Sequence, residues 1–114
     1  DATFIPQLTA FKQQNPKLTV TVSVGGWNMP SSYFSKLASS ETSRAKFTAS
    51  VKAFLDKYQL DGVDIDWEYP GSPARKDPVK ISCSEFRQSV DEGGVLPADT
   101  TNFVALVKDL KAGI

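Results

Sequence analysis

The chemistry open to this sequence is concentrated in one run, Asp61-Gly62-Val63-Asp64-Ile65-Asp66-Trp67-Glu68-Tyr69-Pro70. Residues 62–69 suit a strand closed by Pro70-Gly71, in which side chains alternate with a period of two. Asp64, Asp66 and Glu68 then project to one side, and Val63, Ile65 and Trp67 to the other. Backbone positions two apart lie about 6–7 Å from one another, so three carboxyls stand in file. Folding gains nothing from such a file. Like charges repel and lose water on burial, which predicts that at least one carboxyl is protonated or strongly hydrogen-bonded. An enzyme keeps a general acid loaded by the same means. Two structural readings compete: an edge strand with its acids in water, and a calcium loop. The Val-Ile-Trp face and the helix to come favour burial over the first, and the run lacks the spacing and sixth-position glycine of an EF-hand.

Histidine is absent from the 114 residues. That removes serine–histidine and cysteine–histidine catalysis and the commonest zinc ligand, leaving carboxylates and tyrosine for acid–base work. Cys83 is the one cysteine. It can pair only outside this sequence, or serve as a small packing residue.

The elements that position the acidic run follow from pattern. A helix over about 4–14 puts Phe4, Leu8 and Phe11 on one face, with Asn15-Pro16 as its stop. Residues 18–24 alternate: Leu18, Val20, Val22 and Val24 point one way and Thr19, Thr21 and Ser23 the other, a strand ended by Gly25-Gly26. A short helix is expected around 33–38. A longer one over about 43–58 carries the stripe Phe47, Val51, Phe54, Leu55 and Tyr58, which reads as core. The stretch 71–98 is a long excursion with a short helical piece near 84–88. A last helix begins with Asp99 as N-cap, buries Phe103, Leu106, Val107 and Leu110, and stops at Gly113. Strands joined by helical crossovers pair in parallel and are covered by helices. The fold class is therefore α/β. Two strands make a poor sheet, whereas a complete (β/α)8 barrel has eight strands and roughly 250 residues, so the architecture is unfinished.

Composition narrows the partners. Hydrophobic residues make up 40% and charged residues 23%, with 13 basic and 13 acidic side chains. A balanced charge without a basic block argues against nucleic acid or an anionic membrane. No apolar run is long enough to span a bilayer, and no signal-peptide pattern opens the chain. The start at Asp1-Ala2-Thr3 reads as an internal segment or a processed product.

Asp61, Asp64, Asp66 and Glu68 resemble the Asp-x-x-Asp-x-Asp-x-Glu signature of the family 18 glycoside hydrolases. Upstream, Ser23-Val24-Gly25-Gly26 is similar to the family's Ser-x-Gly-Gly signature. Both motifs fall at strand C-terminal ends, where barrel active sites are built. The resemblance implies that the whole segment is a partial (β/α)8 TIM barrel, about strands 3 and 4, an incomplete segment of one catalytic domain. It implies substrate-assisted hydrolysis in place of the two-carboxylate scheme. Glu68 would be the general acid, Asp66 would hold the substrate acetamido N–H, and Asp64 would support Asp66 by sharing its proton. Asp61, out of phase with the other acids, would have a structural role. Ser23 is either an inward hydroxyl supporting the acids or a capping contact. Gly25 and Gly26 permit a backbone turn that a side chain would block. Trp27 is either a sugar-stacking residue at the mouth or a core tryptophan. Trp67 packs, and Tyr69 flanks the site. Trp-Glu-Tyr around the acid resembles chitinases more than the related endo-N-acetylglucosaminidases.

By that resemblance the ligand is chitin or a chito-oligosaccharide, no cofactor or metal is needed, and the protein is extracellular. The rest of the barrel, with a later tyrosine and tryptophan of the sugar site, would have to come from outside these residues. The alternative is a chitinase-like carbohydrate-binding protein, or a toxin or inhibitor subunit, without turnover. The intact Glu68 counts against a pure binder.

Overall fold

The computed structural model describes residues 3–71 and 96–114. Cys83, the expected helix at 84–88 and most of the 71–98 excursion lie outside the described residues.

Among the described residues six regular elements follow one another: helix α1 (Phe4–Ala10), strand β1 (Thr21–Gly25), helices α2 (Ser31–Ala38) and α3 (Glu41–Tyr58), strand β2 (Gly62–Asp66) and helix α4 (Asp99–Gly113). A 3-10 turn, Phe11–Gln13, continues α1. The strands pair in parallel, as crossover connections require, with Thr21 opposite Gly62, Ser23 opposite Asp64 and Gly25 opposite Asp66. Each strand has a ladder partner on one side only among the described residues.

The register is pinned at its lower end by Asp61. Its amide donates to the Val20 carbonyl at 2.8 Å, and its carboxylate accepts the Val20 amide at 2.7 Å. Lys12 adds an ion pair to the same carboxylate at 2.6 Å and donates to the Gln59 carbonyl at 2.7 Å. The lysine thus staples the end of the first helical segment to the entry of β2.

Ser40 caps α3, its Oγ accepting the Ser43 amide at 3.1 Å. Gln59 ends the same helix in the left-handed region, φ 55°, and Leu60 returns its amide to the Leu55 carbonyl at 3.0 Å. The core gathers Phe34 and Ala38 of α2, Val51 and Leu55 of α3, Trp67, and Leu106 and Leu110 of α4, with Val22, Val24, Val63 and Ile65 of the sheet packed against it. One sheet face is therefore covered by helices, and the face carrying Ser23, Asp64 and Asp66 is left open.

Several expectations need correction. The first strand starts at Thr21 and not at Leu18, because pairing begins where Gly62 faces it; Leu18 instead closes a turn onto the Asn15 carbonyl at 2.9 Å. The second strand stops at Asp66 and not at Tyr69, since its partner turns away at Gly25-Gly26. Asp99 is no N-cap: Ala98 holds that position without a side-chain bond, and Asp99 is buried within α4. The same helix does stop at Gly113, as expected. Val107 and Phe54, expected in the core, are 43% and 36% exposed, and Phe4, Leu8 and Phe11 present an open apolar face. The two-stranded sheet is too narrow to bury every stripe its helices carry.

Candidate active site

The open sheet face carries the chemistry. Ser23 and Asp64 are register partners with side chains on that face, and Ser23 Oγ donates to Asp64 Oδ2 at 2.7 Å. One carboxyl of the file is thus strongly hydrogen-bonded, as its crowding demands. Asp64 is nonetheless exposed, contrary to the burial expected of it, because no described element covers this face.

Asp66 closes the strand and is half-buried. Its carbonyl accepts the Gly26 amide at 2.8 Å, the last bond between the two strands' ends. Gly25 (φ 119°) and Gly26 (φ 91°) both need backbone conformations that side chains rarely adopt. A Cβ on Gly25 would run into the Asp66 carbonyl oxygen and come within 2.8 Å of the Phe34 ring. One on Gly26 would stand 3.5 Å from Asp66 Oδ2. The glycine turn therefore wraps the end of β2 and leaves the Asp66 carboxylate lying over bare backbone.

Beyond the strand no ladder directs the chain, and packing takes over. Trp67 is 4% exposed. It stacks on Phe34 with centroids 5.5 Å apart and meets Phe103 edge-on at 5.8 Å. Its Nε1 donates to Ser31 Oγ at 2.6 Å. Glu68 follows, half-buried. The Glu68–Tyr69 peptide bond is cis. Tyr69 is 57% exposed and Trp27, after the glycine turn, 55% exposed. Trp27 is thus exposed within these residues, and the packing role of Trp67 is borne out.

Asp61 stands at the opposite end of β2. Its carboxyl is held below the ordinary carboxylate range, first by the hydrogen bond from Lys12 and then by that from the Val20 amide. Among the described residues no group of three or more histidine, cysteine, aspartate or glutamate side chains is gathered as a metal ion would require.

A model of the glycosyl hydrolases of family 18 matches residues 1–114. The chain belongs to family 18. Its likeness to curated relatives includes 37% identity over 94 residues to probable chitinase 2 of Drosophila melanogaster, covering 79% of this chain and 19% of that protein. The chitinase domain of the spore coat protein CotE from Clostridium difficile matches with a TM-score of 0.73 at 35% identity, over 98% of this chain and 27% of that one. The Ostrinia furnacalis Group IV chitinase, solved in complex with allosamidin, matches with a TM-score of 0.71 at 32% identity, over 95% and 24%. The chain thus spans about a fifth of that curated relative's length.

Ser31, Ser35, Asp99 and Lys12 lie outside both family 18 signatures. Ser35 Oγ donates to Asp99 Oδ1 at 2.7 Å, and Asp99 Oδ2 accepts the Leu96 amide at 3.0 Å. Ser31 and Ser35 are four apart, on the α2 face that also buries Phe34 and Ala38. That spacing was a visible signal of a buried polar line.

Proposed function

We propose that residues 1–114 supply two neighbouring strand–helix units, about the third and fourth, of a (β/α)8 barrel whose complete form hydrolyses chitin. The bond cleaved is the β-1,4 link between N-acetylglucosamine units, with retention of configuration. The reading rests above all on the carboxyls of Asp64 and Asp66 at the C-terminal end of a parallel strand, bordered by the Gly25-Gly26 turn, with Glu68 directly beyond. Barrel active sites are built at that end. The matches to proteins named as chitinases, one with allosamidin bound, support the substrate class.

In this mechanism Glu68 protonates the glycosidic oxygen as the bond to the anomeric carbon breaks. The substrate's own acetamido oxygen attacks that carbon and forms an oxazolinium ion. Asp66 accepts the acetamido N–H and offsets the positive charge that develops; Asp64, bonded to Ser23, supports Asp66. Water then opens the oxazolinium and gives its proton to Glu68, which restores the enzyme. Trp27 and Tyr69, both exposed aromatic residues near the acids in sequence, are assigned to stacking on sugar. An extracellular location goes with an insoluble polysaccharide substrate.

The test uses the complete barrel. Glu68→Gln should lower kcat on chito-oligosaccharides by about 10²–10⁴-fold while allosamidin still binds. Retained turnover in that variant would sink the reading, and a parent without turnover would favour a carbohydrate-binding, toxin or inhibitor subunit. The 114-residue chain alone should be inactive, because transition-state binding needs the whole pocket.

A further inference from the structure

Resting on the reading of Glu68 as the general acid, we infer that Ser31 is the residue that positions it. Glu68 lies past the end of β2, so the strand ladder that sets Asp64 and Asp66 does not reach it. What brackets it is a single hydroxyl from α2. Ser31 Oγ accepts the Trp67 Nε1 proton at 2.6 Å and donates to the Tyr69 carbonyl at 3.4 Å. One acceptor and one donor function are used at once, which is what a serine hydroxyl offers. The two contacts fall on the residues immediately before and after Glu68.

The bracket is anchored. Ser31 is 6% exposed, in the first turn of α2, and Trp67 is clamped between Phe34 of the same helix and Phe103 of α4. One turn further along α2, Ser35 is bonded to the buried Asp99 of α4. The helix presenting Ser31 is thus fixed to the core by a second polar contact. A catalytic acid displaced by about 1 Å can cost on the order of 10²-fold in rate, so a tether on either side of it matters more than its own modest energy implies.

A merely structural role has a different signature, because Ser31 also satisfies a buried indole N–H. Removing the hydroxyl alone leaves that donor orphaned and costs stability, a cost that vanishes when the indole N–H is removed as well. Three variants of the complete barrel separate the effects. Ser31→Ala should lower both the melting temperature and kcat, the latter by about 10- to 100-fold, with KM for a chito-oligosaccharide nearly unchanged. Ser31→Ala combined with Trp67→Phe should be about as stable as Trp67→Phe alone, because no indole N–H is left to orphan, while its kcat stays lower, since the Tyr69 carbonyl stays untethered. Trp67→Phe alone, which keeps the Ser31–Tyr69 contact, should retain more of kcat than the double variant.

A kcat in the double variant equal to that of Trp67→Phe alone overturns the inference, as does an unchanged kcat in folded Ser31→Ala. Glu68→Gln, run alongside, tells this failure from that of the parent reading. If Glu68→Gln abolishes turnover and Ser31→Ala does not reduce it, only the positioning role falls. If Glu68→Gln is fully active, both fall.

Discussion

Ser23 Oγ and Asp64 Oδ2 meet at 2.7 Å across the parallel pair, directly opposite one another in register. The hydroxyl comes from the strand that ends in the glycine turn and the carboxylate from the strand that carries the other acids. The two signatures of the sequence are therefore one hydrogen-bonded unit. Ser23→Ala should disturb the orientation of Asp64 with a small stability change, about 0.5–1.5 kcal/mol. In the complete barrel, kcat should fall about tenfold, a rate effect corresponding to about 1.4 kcal/mol. Steady-state kinetics beside urea unfolding would separate the two.

Gly25 and Gly26 should respond unequally to alanine. At Gly25 a Cβ meets main chain, the Asp66 carbonyl, and the buried Phe34 ring, neither of which can step aside. Gly25→Ala should cost on the order of 3 kcal/mol or more. Gly26→Ala meets only the Asp66 carboxylate at 3.5 Å and should cost about 1 kcal/mol, chiefly from its left-handed backbone. Denaturant midpoints of the two variants give the comparison, and equal losses would refute it.

The Lys12–Asp61 staple carries a pH signature. Asp61 has a folded-state affinity for protons below its ordinary one, with a reference value of 3.8. Its contribution is therefore present above that value and lost as pH falls below it through the folded pKa. Asp61→Asn should remove the staple's contribution at pH 6. The gap in melting temperature between the parent chain and Asp61→Asn should narrow as pH drops below about 4. The pair is partly exposed, so added salt should narrow the same gap at pH 6.

Two buried polar groups in the helical layer should respond in opposite directions. Asp99 is fully buried and accepts from both Ser35 and the Leu96 amide. Asp99→Asn turns one acceptor into a donor facing a donor and should cost about 1–3 kcal/mol. Thr48 Oγ1 is buried without a hydrogen-bond partner among the described residues. Thr48→Val, which keeps the shape and removes the orphan hydroxyl, should be neutral or stabilising by about 1 kcal/mol. Chemical denaturation of both variants checks the pair of signs.

The acidic strand, its sidedness and its neighbour were legible because alternation is a local property. Ser23 and Asp64 share a face for the same reason that Val22, Val24, Val63 and Ile65 share the other. The ends of the strands were not legible. They depend on where a partner is present, so Leu18 and Trp67 continue the alternation without joining the ladder. The part taken by Asp99 was missed because an acid before a helical stripe reads as a cap, while its true partner, Ser35, is distant in sequence. The spacing of Ser31 and Ser35 hinted at a buried polar line, but the partners of Ser31 were not legible, because only the fold brings Trp67 and Tyr69 onto it.

Each strand keeps one flank of backbone amides and carbonyls without a ladder partner among the described residues. Such a flank is a template that accepts another chain as readily as it accepts water. Preparations of these 114 residues are therefore governed by concentration before temperature, and dilution series in light scattering belong ahead of any melting curve.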